Sequence, residues 1–185
     1  GLHGAYFNNS MTPIYIDGDA TGVGAHNWTW AVNQPWCSGS GTWNDPYVIK
    51  NIMIDGKGTD NCIEIRDSSV PFIIRNNSLY DASSANYKAA IRLDHVNNSL
   101  IIENNCSNNG HIGIILYEHC NNNTIKGNIM HDNQNAGISL RESSEHNTIM
   151  DNWIANSTGS FGVYMLHSHH SNFINNTVQG CSAGL

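Results

Sequence analysis

The chain has 185 residues, a formal net charge of −7 and only 12% charged residues, a length sufficient for one domain with a real core. No cluster of Lys or Arg tracks a phosphate backbone or an anionic lipid surface, and no apolar run approaches a bilayer span, so nucleic-acid binding and membrane spanning are both excluded. Polarity comes instead from asparagine, which occurs 28 times and favours turns and left-handed backbone, the mark of many short strands joined by tight corners.

In chain order, residues 1–46 come first and do not repeat. They hold Trp28, Trp30, Trp36 and Trp43 and much of the Gly, Pro and Ser punctuation. Such a segment reads as a cap over the exposed edge of whatever follows, with "PIYI" (13–16) as a first strand and the indoles packed beneath it. Within it, "DGDATG" places Asp17, Asp19 and Thr21 at alternate positions, like the oxygen ligands of a calcium loop. The twelfth position is Trp28 rather than Glu, which excludes an EF-hand and leaves a looser Ca2+ loop or a plain Asp-Gly turn.

Residues 47–185 repeat. A small–apolar–any–apolar group recurs as "CIEI" at 62, "AIRL" at 90, "GIIL" at 113, "GISL" at 137 and "GVYM" at 162, and a partial "GL" follows at 184. A second frame has Ile74, Ile102, Ile125, Ile149 and Phe173 each three residues before Asn77, Asn105, Asn128, Asn152 and Asn176. A period of about 25 residues with short apolar strands and no helical segment predicts an all-β solenoid, a parallel β-helix of about five to six coils. Equivalent residues then stack about 4.8 Å apart. Ile63, Ile91, Ile114, Ile138 and Val163 form one inward stack, and the Asn77–Asn176 column forms an asparagine ladder. The chain stops partway into a coil, so its last edge is expected to template another coil, as a head-to-tail homo-oligomer or filament.

The segment "GSGTWNDPYVIKNIMIDGKGTDNCIEIRDSSVPFIIRNN" (39–77) and the "NNTI"-type corners at 98–101, 123–125 and 147–149 resemble right-handed parallel β-helix repeat proteins of the NosD-like and pectin-lyase-like kind, over roughly residues 38–185. The resemblance implies a right-handed coil. It does not single out an activity, because such coils serve lyases, hydrolases, epimerases, adhesins and structural proteins alike.

Two surface columns are candidates for chemistry. Two positions past the inner apolar pair stand Asp67, His95, Glu118, Glu142 and His167, with His119, Glu145, His146, His169 and His170 nearby. Stacked carboxylates and imidazoles can hold Ca2+ or another divalent metal, or share a proton, unless the stripe is simply a solvated corner. Between the two inner stacks, the outward column Glu64, Arg92, Ile115, Ser139, Tyr164 reads as one acid and one base, too few for a lyase or hydrolase centre. Asn-x-Ser/Thr acceptors stand at Asn8, Asn27, Asn97, Asn122 and Asn156, and again at Asn76, Asn105 and Asn175. Asn105, as a ladder member, is expected to be inward and unmodified. The five cysteines are expected either to be small buried hydrophobes or, for Cys37 and Cys62, to form a bridge.

The leading expectation is an extracellular or cell-surface module with a structural or assembly role, possessing a surface for glycan. The alternatives are a carbohydrate-active enzyme on a polysaccharide and a metal-binding surface protein using the ionisable stripe.

Overall fold

The computed structural model describes residues 11–159 and 161–183. The chain winds as a right-handed parallel β-helix of about five turns behind an N-terminal region that does not repeat. Three faces run along the coil. The front face is a six-stranded parallel sheet: Ile14–Asp17, Ile63–Ser68, Ala89–Val96, Ile112–Tyr117, Ala136–Arg141 and Phe161–Leu166. The back face stacks Tyr47–Lys50, Phe72–Arg75, Ser99–Ile102, Thr124–Lys126, Thr148–Met150 and Asn172–Ile174, with Cys37–Ser38 added antiparallel at its N-terminal edge. The third face comprises Met53–Asp55, Ser78–Tyr80, Ile129–His131, Trp153–Ala155 and Thr177–Gln179, joined across its middle by bridges through Asn105.

The inward stack of the front face is in register as expected, Ile63 against Ile91, Ile91 against Ile114, Ile114 against Ile138 and Ile138 against Val163. These residues are almost fully buried in one continuous core. Corners explain the asparagine content. At each one the chain turns through a left-handed residue, and these too stack. One corner uses Asn51, Asn76, Glu103, Gly127, Asp151 and Asn175; another uses Asp81, Asn108, Asp132, Asn156 and Gly180. Asn, Asp and Gly tolerate that backbone at least cost.

The asparagine ladder is present, with one correction. Its members are Asn77, Asn104, Asn128, Asn152 and Asn176, not Asn105. Each backbone N–H and side-chain amide of Asn104 and Asn128 donates to the Oδ1 of the next member, at 2.9–3.1 Å. Each Nδ2 also donates to a buried carbonyl, Asn128 to Ile101 at 2.9 Å. Asn105 is exposed and contributes only its backbone to the adjoining strands. "LIIENN" offers Ile-x-x-Asn in two frames, and strand parity chooses between them. Ile101, not Ile102, lies between Ile74 and Ile125 in register, so Asn104 points inward and Cys106 fills the stack beside Leu79 and Met130.

Two shorter ladders escaped the sequence reading. Asn123 and Asn147 cap the corner after the front face, Asn123 N–H donating to Asn147 Oδ1 at 2.9 Å. Asn109 N–H donates to Asn133 Oδ1 at 3.0 Å on the third corner. Their common 24-residue step was visible in the sequence.

All five cysteines are free, four of them buried, which removes the Cys37–Cys62 bridge; the four buried ones are small core residues. Burial pushes the Cys120 thiol up to about 12. The helix Trp28–Ala31 is capped by Asn27, whose Oδ1 accepts from Trp30 N–H at 3.0 Å. Trp28 lies on Tyr47 and Phe72 and donates to Ser68 Oγ at 2.9 Å. Trp43 departs from the expected core packing, being 74% exposed. No helix among the described residues is long and apolar enough to cross a membrane.

Candidate functional site on the front face

Chemistry collects on the outer surface of the front sheet. Period-two alternation sends Glu64, Arg92, Ile115, Ser139 and Tyr164 outward in one column. Two residues further on, the same alternation sends out Arg66, Asp94, Tyr117, Arg141 and Leu166. This second column corrects the reading of the face as nearly free of ionisable groups. The inner-stack spacing alone could have found it, by counting two positions further along each strand. A small apolar floor, Ala89, Ile112, Ile115 and Ala136, lies fully buried beneath it, packed under Tyr117, Phe161 and Tyr164.

Asp94 is the centre. Its side chain is 3% exposed and accepts from Arg92 Nη2 at 2.8 Å and Arg66 Nη2 at 3.2 Å, while His95 Nδ1 lies 2.8 Å from Oδ1. Burial pushes the carboxyl up, but the bonds from Arg92 and His95 and the charges of both arginines outweigh it and hold it below the usual carboxylate range. With Asp94 accepting from Nδ1–H, His95 keeps Nε2 as its free nitrogen, 3.8 Å from Glu118 Oε2.

The corner stripe is real as geometry. Asp67, His95, Glu118, Glu142 and His167 are all left-handed, with φ between 49° and 53°, and stack on successive coils. They do not form one cluster. His167 Nδ1 lies 3.4 Å from Glu142 Oε2 and Asp67 only approaches Arg66 Nε, at 4.0 Å. Among the described residues, the group of three whose His, Cys, Asp or Glu ligand atoms lie within 4.8 Å of one another is Asp94, His95 and Glu118. That cluster can coordinate a metal ion. His119 stands beside it, its ring centroid 5.5 Å from that of His95.

Around this centre lies an aromatic and cationic surface. The guanidinium of Arg92 covers Tyr117 at 4.5 Å, and Arg141 lies 4.4 Å from the Tyr164 ring centre and 5.0 Å from that of Tyr87. Tyr87 comes from the loop between Tyr80 and Ala89 and reaches Tyr117 at 5.3 Å. Burial raises the Tyr117 hydroxyl, as do its bond to Glu118 and that carboxylate's charge.

The other sequence candidates lie elsewhere. Asp17 Oδ1 accepts from Asp19 N–H at 3.1 Å in a local turn, and Thr21 is exposed. Of the acceptor asparagines, Asn105, Asn122, Asn156 and Asn175 are exposed and Asn76 and Asn97 are half-buried, so Asn105 is not the inward residue expected of a ladder member. Both amide atoms of Asn27 are engaged, Nδ2 with Ala20 O and Oδ1 with Trp30 N–H. Asn8 lies outside the described residues.

No curated protein matches the chain in sequence. Among solved structures it is similar to a candidate glycosyl hydrolase from Parabacteroides merdae, with 12% identity and a TM-score of 0.45 over 71% of this chain and 78% of that one. It is also similar to the A-module of the Azotobacter vinelandii mannuronan C-5 epimerase AlgE4, with 12% identity and a TM-score of 0.43 over 74% and 61% respectively. These likenesses concern the coil alone. The family model for the right-handed beta helix region matches residues 36–185, and the chain belongs to that family.

Proposed function

We propose that this is a carbohydrate-active protein that engages a polysaccharide along its front face, with Asp94 and His95 as the acid/base pair. The carrying observation is the buried Asp94 carboxylate. It is fixed by two arginines, orients His95, and leaves His95 Nε2 toward solvent beside Glu118 and the tyrosine surface. An imidazole so held accepts a proton from a sugar carbon or hydroxyl and returns it, while Asp94 stabilises the imidazolium. Tyr117 and Tyr164 offer ring faces with polar edges, which suit sugars. Incubation with a panel of polysaccharides, read by product NMR, should show turnover that His95→Asn abolishes while binding and melting temperature hold. No turnover and no front-face binding across the panel would overturn this reading.

A divalent metal is the second reading, favoured by the Asp94, His95 and Glu118 grouping. His95 Nε2 and Glu118 would be the direct ligands, with Asp94 orienting the imidazole. The mixed nitrogen and oxygen set suits zinc better than Ca2+, which takes oxygen ligands. Calorimetry should then show heat with zinc that Glu118→Gln removes. The stripe residues Asp67, Glu142 and His167 would stay outside this centre. A polysaccharide ligand would put the protein outside the cell or on its surface, where Asn122 and Asn156 are among the exposed acceptors for glycan. Head-to-tail association through coil edges is checked by sizing across a concentration series.

A further inference from the structure

Four arginines occur in this acidic chain, and three of them, Arg66, Arg92 and Arg141, project from the front face. Two are neutralised there. Arg66 and Arg92 share Asp94, and Arg92 Nε also approaches Glu64 at 3.9 Å. Arg141 differs. Among the described residues no carboxylate lies within ion-pair distance of it. Its Nε donates to Ser139 Oγ at 3.1 Å, and its Cζ lies over the Tyr164 and Tyr87 rings, 4.4 Å and 5.0 Å from their centres. Those contacts engage Nε and the two rings and leave the two Nη groups, the fork that matches an oxyanion.

The surroundings sharpen this. Ile112, Ile115 and Ala136 lie fully buried under Tyr164, the ring against which Arg141 rests, an apolar floor that strengthens charge interactions on this face. A guanidinium fixed there without a counter-charge is an unfinished site.

We propose that Arg141, held against Tyr87 and Tyr164, is a subsite for an oxyanion substituent on the polysaccharide, a carboxylate or a sulfate ester. This rests on the polysaccharide reading and adds what that reading lacks, the charge of the ligand. Selection comes from one guanidinium whose counter-ion the protein withholds, in a chain whose overall charge would otherwise repel a polyanion.

The test measures binding of the full chain to a polyuronate, a sulfated dextran and unsubstituted dextran, with melting curves in inorganic sulfate alongside. The native chain should prefer at least one acidic polymer over dextran. Arg141→Gln should weaken that binding roughly tenfold, as expected for loss of a charge-assisted pair, and leave dextran unchanged. Arg141→Lys, which keeps the charge but not the fork, should fall between; it also carries the test if the Gln variant fails to fold. Preference for the polyuronate alone assigns a carboxylate, and preference for the sulfated dextran alone assigns a sulfate ester. Equal binding of all three polymers, or an acidic preference that survives in both variants, overturns the subsite and leaves the polysaccharide reading intact. Sulfate raising the melting temperature of the native chain but not of Arg141→Gln, with no polymer bound, would keep the anion site and remove the polysaccharide. No response to polymer or sulfate removes both.

Discussion

Two columns written by the same coil repeat end in opposite surroundings. The ladder from Asn77 to Asn176 runs inside a corner. Asn104, Asn128 and Asn152 are each 1% exposed, and every side-chain amide there is spent on the next coil and on a buried carbonyl. The stripe from Asp67 to His167 runs along the outside of another corner, with side chains about 40–72% exposed and few bonds between coils. Periodicity therefore identifies columns, and it is burial and hydrogen-bond accounting that separates a column holding the coil together from one free for chemistry. Between the two stands Asp94, buried like the ladder and ionisable like the stripe, and the candidate centre forms around it.

The sharpest way to break this contrast is Asn128→Ala. It strands the N–H of Asn104, takes one acceptor from Asn104 Nδ2 and one donor each from Asn152 Oδ1 and the Ile101 carbonyl, and should cost about 1–3 kcal/mol in urea denaturation. A midpoint unchanged by that substitution would mean the ladder does not hold the coils.

Acid provides the next largest effect. Because the native pKa of Asp94 is depressed, its contribution to stability is fully present above the ordinary carboxylate pKa of about 4 and is lost as pH falls through the lower native value. Asp60, beside Lys88 at 2.6 Å, shifts the same way despite an opposing burial effect, but its exposure leaves it less to lose. Thermal melts between pH 6 and pH 2 should steepen below about pH 4, and Asp94→Asn should flatten that limb. An identical profile in the variant would mean other carboxylates govern acid unfolding.

The smallest effects test the exposed side of the comparison. His167→Ala removes a 72% exposed partner of Glu142, and Asn105→Ala removes an exposed amide one position from the ladder. Each should move stability by less than about 0.5 kcal/mol. A large loss for Asn105→Ala would return that residue to the ladder in place of Asn104.

The sequence alone determined the coil, its inner stacks, the existence of an asparagine ladder and the corner stripe. All of these follow from repeat spacing, because a solenoid turns distance along the chain into stacking in space. Parity at Ile101 and Ile102 was beyond it. Both frames satisfy the repeat, and only the pairing with Ile74 and Ile125 decides which side chain the core accepts. The candidate site was beyond it too. Asp94 becomes a centre because Arg66 and Arg92 converge on it from neighbouring positions while His95 leaves the strand through a left-handed corner. Tyr87 enters from a loop that belongs to no repeat, and with Tyr164 it covers Arg141. Those contacts join residues from different coils and from outside the period, and only the folded chain brings them within bonding distance.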